Sequence, residues 1–176
     1  FIWNKIMHQK LGQHFLINKS AIKKIVGALD LKPSDIIIEI GPGKGALTFP
    51  LLEECKKIGC KIVAIEKDPK LSKELSHLVT KSLRIIESDA LKILPNLITQ
   101  LLNDSITNYK IVGNIPYYIT GKLLRILSEL ENKPELIILM LQKEVAERIC
   151  AQPRGMNPVR GREGPQRTSA SNGMNL

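Results

Sequence analysis

Residues 36–45 constrain the fold more than any other part of the sequence. The run Ile-Ile-Ile-Glu-Ile is followed at once by three glycines at alternate positions, Gly41, Gly43 and Gly45. A short, largely apolar run of this kind predicts a strand buried on both faces, as in the middle of a parallel sheet. Because glycine has no Cβ, the turn after the strand can bend tightly and let a ligand lie against bare backbone. A helical pattern begins at Ala46, and the free N–H groups at such a helix start suit a nucleotide or an amino-acid carboxylate.

A second predicted strand, residues 61–66, ends in a carboxylate, Glu66, about 20 residues beyond the glycines. The glycine spacing is G-x-G-x-G, not the dinucleotide fingerprint G-x-G-x-x-G, and alone it also fits a tight turn in any α/β protein. In a doubly wound sheet the ends of the first two strands lie side by side, so Glu66 would lie over a ligand on the glycine turn. A carboxylate there can accept both hydroxyls of a ribose. An acid after a strand is often only solvated, but the two features together favour a ligand that contains a nucleoside.

Strands alternate with helices along the rest of the chain. We predict strands at 36–40, 61–66, 83–90, 109–113 and 136–141, and helices at 20–29, 46–58, 69–81, 92–102 and 142–150, with one more capped by Thr120. This order predicts an α/β fold, a parallel sheet with right-handed crossovers and helices on both faces.

Composition narrows the class of partner. The net charge is +9 and the pI about 9.5, which favours a polyanionic partner. Aromatic residues make up only 4%, too few for a broad single-strand stacking platform. No apolar run approaches the roughly 18 residues of a membrane span, so we expect a cytoplasmic protein without membrane contact. The three cysteines form no C-x-x-C pair and are predicted to be reduced, and the three histidines show no metal-ligand spacing.

The stretch Asn114-Ile115-Pro116-Tyr117, directly after the fourth strand, indicates the chemistry. An exocyclic adenine amine is a poor nucleophile because its lone pair is delocalised into the ring. The Asn114 side-chain oxygen and the carbonyl of Ile115 or Pro116 can accept its two N–H groups and turn the lone pair toward an electrophile. Tyr117 offers a ring on which the base can stack, a contact worth roughly 1–3 kcal/mol. No strong general base is needed, and most of the rate enhancement would come from holding the amine in line.

Asp89 lies at the end of the predicted third strand and has two possible roles. Its carboxylate can accept a hydrogen bond from the amino group of a bound base, or it can cap the next helix. One residue can do both.

Six motifs in order carry a family resemblance. They are Gly12–Leu16, Glu39–Gly45, Ile65–Asp68, Ser88–Ala90, Gly113–Ile119 and Leu141–Ala146. Over roughly residues 8–153 the chain resembles the small-subunit ribosomal RNA adenine dimethyltransferases. The resemblance implies a Rossmann-like class I methyltransferase fold, S-adenosylmethionine as methyl donor, and two adjacent adenines near the 3′ end of the small-subunit (16S) RNA as acceptors, each dimethylated at N6 in the immature 30S-type subunit.

The resemblance also assigns roles to residues by position. The expected catalytic residues are Asn114, Pro116 and Tyr117. The expected cofactor-binding residues are His14, Leu16, Gly41, Gly43, Glu66, Asp89, Ala90 and Asn114. His14 stands where family members often carry asparagine, and Tyr118 likewise replaces a frequent asparagine with little expected consequence. No metal is implied, and we expect a monomer.

The expected organisation is an N-terminal arm or lid (1–18), an S-adenosylmethionine-binding domain (19–152) and a disordered tail (153–176) unlike the family. The resemblance implies two more strands and a small RNA-gripping helical domain after Pro153, so the sheet is expected to lack its last strands. We expect either a gene fragment or an insertion after Pro153, with activity on ribosomal RNA compromised. Two alternatives stay open: a large-subunit adenine methyltransferase of the macrolide-resistance type, and a non-catalytic RNA-binding assembly factor.

Overall fold

The computed structural model describes residues 19–103 and 108–151. For residues 102 and 103 it describes the backbone alone. The helices are α1 (Lys19–Ala28), α2 (Thr48–Ile58), α3 (Pro69–Ser76), α4 (Ala90–Asn103), α5 (Tyr117–Glu129) and α6 (Lys143–Cys150). The strands are β1 (Ile36–Ile40), β2 (Lys61–Glu66), β3 (Leu83–Glu87), β4 (Tyr109–Asn114) and β5 (Leu136–Met140). The predicted alternation of strands and helices is therefore confirmed.

The five strands form one sheet in the order β3-β2-β1-β4-β5, and every neighbouring pair is parallel. The chain first winds outward from β1 through β2 to β3 and then returns to add β4 on the other side of β1. The carboxyl ends of β1 and β4 therefore flank the switch point of the sheet, where open α/β sheets bind their ligands.

Both faces of β1 are covered, as its apolar run predicts, and all five of its residues are buried. Ile36, Ile38 and Ile40 pack in a core shared with residues of α4 and α5. Ile37 points to the other face, into a core shared with residues of α1 and α2. Because side chains alternate along a strand, a central strand needs apolar residues at nearly every position, and this explains why the run is continuous.

Several helices and strands begin or end at other residues than predicted. Helix α2 begins at residue 48 and α3 ends at residue 76, so both are shorter than predicted, whereas α4 begins two residues early, at residue 90. The third strand ends at Glu87. The prediction that Thr120 caps α5 is wrong: Pro116 is the N-cap, and the Thr120 hydroxyl donates to the Pro116 carbonyl from inside the helix. Tyr117 and Tyr118 are therefore the first two residues of α5.

The prediction of three reduced cysteines is wrong for one pair. Cys55 of α2 and Cys60, just before β2, form a disulfide. Gly59 ends α2 in the left-handed conformation (φ 94°) and reverses the chain, so the two Cα atoms come within 4.6 Å. Cys150 is a free, exposed thiol. The spacing alone gave no indication of this reversal.

Candidate active site

A cavity of about 830 Å³ lies at the carboxyl ends of the strands. Every predicted site residue that the structure describes lines it: Gly41, Gly43, Glu66, Asp89, Ala90, Asn114, Pro116 and Tyr117. They come from the ends of β1, β2 and β4, the start of α4 and the start of α5, so the sheet brings together segments that are far apart in sequence. His14 and Leu16, together with the arm (1–18) and the tail (153–176), lie outside the described residues, and the predictions for them stay predictions.

The glycine turn is held in place by Glu66. Gly41 and Gly43 have φ values of 67° and 60°, in the left-handed region that side chains with a Cβ adopt at a cost. The Glu66 Oε2 atom accepts the Gly43 N–H at 2.9 Å, and its Oε1 atom accepts the Asp68 N–H at 2.9 Å. The side chain is buried, with 5% of the residue exposed. Each carboxylate oxygen can accept a further bond, so Glu66 braces the turn and retains acceptor capacity toward the cavity.

Glu39 is a cavity-lining carboxylate to which sequence reasoning gave no role. The residue is 1% exposed, and its Oε2 atom has no hydrogen-bond partner among the described residues. The pKa of Glu39 is raised to about 7: burial is the main cause, the nearby Thr48 hydroxyl opposes it, and the charge of Glu66 adds a smaller increase. A buried acceptor without a partner at the wall of a cavity fits a ligand that carries a cation or a donor. The signal was present in the sequence, as the one acidic residue of an otherwise apolar strand.

Asp89 performs the predicted capping role and has a second partner. Its Oδ1 atom accepts the Leu91 N–H at 3.0 Å at the start of α4, and its Oδ2 atom lies 3.0 Å from the Lys67 ammonium. Partial burial would raise the pKa of Asp89, but the bonds from Lys67 and the Leu91 N–H lower it overall. Lys67 also lines the cavity, and sequence reasoning did not single it out. The carboxylate is therefore charged and oriented at the cavity wall.

The other side of the cavity is formed by the junction of β4 and α5. Asn114 ends β4 and pairs with Met140 in β5, and the Ile115 N–H donates to the Met140 carbonyl at 3.1 Å. The Pro116 carbonyl accepts the Thr120 hydroxyl at 3.1 Å and the Ile119 N–H at 3.2 Å. With both of its lone pairs used, Pro116 is the weaker of the two predicted carbonyl acceptors, and the geometry favours the Ile115 carbonyl.

The described residues form neither a metal centre nor a membrane-spanning helix. They contain no group of three or more histidine, cysteine, aspartate or glutamate residues that could hold a metal ion. No helix among them is both long enough and apolar enough to cross a membrane.

Two proteins with sequences similar to this chain carry the same name. A ribosomal RNA small subunit methyltransferase A from Dehalococcoides mccartyi is 46% identical over 148 residues, which are 83% of this chain and 48% of that protein. One from Prochlorococcus marinus is 40% identical over 161 residues, 86% of this chain and 52% of that protein. The chain thus spans about half the length of these relatives.

Two solved structures of methyl-transferring enzymes have a fold similar to that of this chain. A dimethyladenosine transferase from Plasmodium falciparum has a TM-score of 0.61 at 31% identity, over 79% of this chain and 47% of that one. The 23S rRNA methyltransferase ErmE has a TM-score of 0.58 at 24% identity, over 76% of this chain and 50% of that one, and its likeness is one of fold. The model of the ribosomal RNA adenine dimethylase family matches residues 4–158, so most of the chain is covered. The chain belongs to the ribosomal RNA adenine dimethylase family.

Proposed function

We propose that this chain is the S-adenosylmethionine-binding part of a small-subunit ribosomal RNA adenine N6-dimethyltransferase, acting on two adjacent adenines during ribosome biogenesis. The single observation that carries the proposal is the one cavity that joins the glycine turn, Glu66, Asp89 and Asn114. The names of the relatives support the small subunit as substrate. A cytoplasmic location, a monomeric state and the domain limits remain predictions.

The residues around the cavity fit the proposed cofactor. The glycine turn leaves backbone open to the methionine part: apart from the adjoining residues of the chain, no atom in the described part of the protein lies within 4 Å of the point where a Cβ on Gly41 would stand. Glu66 would accept the ribose hydroxyls and Asp89 the adenine amino group. The unpartnered Glu39 oxygen suits the ammonium group. When bound, the cofactor supplies a methyl group on a positively charged sulfur.

The acceptor side of the cavity orients the amine. The Asn114 side-chain oxygen and the Ile115 carbonyl would accept the two N–H groups of the target adenine, which directs the nitrogen lone pair into the cavity. Tyr117 would stack on the base. Because the amine needs orientation more than deprotonation, positioning by these groups accounts for most of the expected acceleration.

Calorimetric titration with S-adenosylhomocysteine tests the cofactor site. We expect micromolar binding by the chain and at least a tenfold weaker affinity in Glu66→Gln, since one carboxylate acceptor is lost. Glu87→Gln is the matched control, because Glu87 ends the neighbouring strand in register with Glu66 but is exposed and does not line the cavity. Equal affinities in the three proteins, or no heat in any, would contradict the proposal. Unfolding curves of the same samples separate lost binding from lost structure, because Glu66 also braces the turn.

Methyl transfer to RNA requires a separate experiment. We expect immature small subunits to accept labelled methyl groups from a chain extended past residue 176, and Asn114→Ala in that chain to abolish transfer while S-adenosylhomocysteine still binds. Transfer to large-subunit RNA instead would identify the macrolide-resistance type. Cofactor binding without any transfer would favour an assembly factor.

A further inference from the structure

Two exposed aromatic rings stand side by side at the cavity. Tyr117 and Tyr118 are 57% and 62% exposed, which places both among the exposed large hydrophobic residues of the described chain, whereas tyrosine is on average of intermediate burial. Both line the cavity. Their ring centroids are 5.8 Å apart and their planes meet at 89°. The chemistry of the Asn114–Tyr117 stretch predicts a stacking role for Tyr117, whereas no role was predicted for Tyr118.

The perpendicular arrangement limits what the two rings can bind. A base that lies flat on Tyr117 is perpendicular to a base that lies flat on Tyr118. Two adjacent nucleotides in a regular strand have parallel, mutually stacked bases, so they cannot occupy both rings. They can do so only when one base is rotated out of the stack, which is what an enzyme that modifies a base requires.

The face of α5 that continues from Tyr118 is exposed to solvent and carries a positively charged side chain. Tyr118, Gly121 and Lys122 are spaced i, i+3 and i+4 along α5, so they share one face, and all three are exposed. No atom of the described residues outside its own helix segment lies within 4 Å of the point where a Cβ on Gly121 would stand. Lys122 forms no ion pair with any residue that the structure describes, whereas Arg125, one turn further on, pairs with Glu129 at 2.9 Å.

We propose that this face of α5 binds the nucleotide next to the target adenine: Tyr118 stacks on the unstacked neighbouring base, and Lys122 contacts its phosphate. The inference rests on the proposed function and names a second nucleotide subsite beside the target-base position. The occupant is single-stranded RNA, because the surface offers an open aromatic face next to a positive charge. The base identity is unrestricted, since every base has a π-face.

Fluorescence anisotropy with two short RNAs tests the stacking role. Both carry one central adenine; in the first its neighbours are purine ribosides, which stack but lack the amine, and in the second they are abasic. We expect Tyr118→Ala to weaken binding of the first RNA about fivefold or more and to leave the second within about twofold. Tyr118→Phe should restore binding of the first RNA. Tyr117→Ala should weaken both RNAs.

Other outcomes overturn the inference. An equal loss on both RNAs would assign Tyr118 a structural role, and no loss on either would exclude stacking. Absence of RNA binding by the chain at low salt would exclude the subsite. S-adenosylhomocysteine titration of the same samples keeps this failure distinct from failure of the proposed function, because none of the groups proposed to hold the cofactor lies on α5.

The phosphate contact has its own test. The logarithm of the affinity for single-stranded RNA falls with the logarithm of salt concentration, with a slope of about 0.7 per phosphate contact. We expect Lys122→Gln to reduce this slope by about 0.7, and Arg125→Gln to leave it unchanged because that guanidinium is already paired. Equal effects of the two substitutions, or no effect of Lys122→Gln, would overturn the contact.

Discussion

Glu66 and Glu39 are buried carboxylates on neighbouring strands, and they differ in their hydrogen-bond partners. Both oxygens of Glu66 already accept backbone N–H groups, so the fold holds this carboxylate in a defined orientation. Glu39 lies equally deep, but one of its oxygens has no partner among the described residues. The first therefore shapes the site, and the second carries a cost that a cationic ligand would offset.

Glu39→Gln should stabilise the protein in a pH-dependent way. Between about pH 4.5 and 7 the folded state retains a proton on Glu39 that the unfolded state has lost, so the native protein loses stability as pH rises through this range. Glutamine has no proton to lose in this range and stays uncharged. We expect the advantage of Glu39→Gln in free energy of unfolding to grow from near zero at the acidic end to about 3 kcal/mol above pH 7. Urea unfolding of both proteins across that range measures it.

Glu87→Gln serves as control for this experiment too, because it makes the same chemical change at an exposed residue that does not line the cavity. An advantage of Glu39→Gln that is the same at every pH would show that Glu39 is not protonated in the folded state.

At the scale of elements, the site depends on how closely β1 and β4 approach. Gly113 pairs with Ile40 across these strands, one residue before Asn114. A Cβ at Gly113 would stand 2.7 Å from the Ile40 carbonyl oxygen and 2.8 Å from the Ile115 Cδ1 atom. Because the first neighbour is backbone in the middle of the sheet, it has little freedom to move. Packing therefore favours glycine at position 113, next to the Asn114 that the chemistry requires.

Gly113→Ala should destabilise the protein by about 1–3 kcal/mol, as expected for an overpacked core. Gly121→Ala is the matched substitution: Gly121 lies within α5, and no neighbouring segment among residues 19–103 and 108–151 crowds it, so we expect a gain of about 0.5–1 kcal/mol from reduced chain entropy. Thermal unfolding of the two variants checks both signs. A stable Gly113→Ala protein would mean that β4 can separate from β1 without cost.

At the scale of the whole molecule, a buried ion pair holds the sheet at the amino ends of its central strands, opposite the cavity. The Lys110 ammonium in β4 lies 2.8 Å from the Asp35 carboxylate and also donates to the carbonyls of Leu29 and Asp30. The side chains of Lys110 and Asp35 are 2% and 5% exposed. These contacts connect the end of α1 and the start of β1 to β4. The sheet is therefore secured at the amino ends of its strands, away from the cavity.

Lys110→Met should cost about 3–5 kcal/mol in free energy of unfolding, because it leaves Asp35 buried without its cation. Adding Asp35→Asn should recover part of the loss. Lys32→Met is the control, since Lys32 pairs with Glu135 at 3.4 Å on the surface and its loss should cost no more than about 1 kcal/mol. Chemical denaturation compares the four proteins. Similar costs for the two lysines would contradict a special role for the buried pair.

The sequence by itself determined the strand–helix alternation, the glycine turn and the segments that form the cavity. These follow from local periodicity and from the rule that parallel strands end at one edge of the sheet. Only the tertiary structure decided the Cys55–Cys60 disulfide, the bracing of Gly43 by Glu66 and the right angle between Tyr117 and Tyr118. Such features depend on where a chain reversal or a helix start lies to within one residue, and on contacts between distant segments. Periodicity carries neither kind of information, so the sequence could name the participants of the site but not their partners.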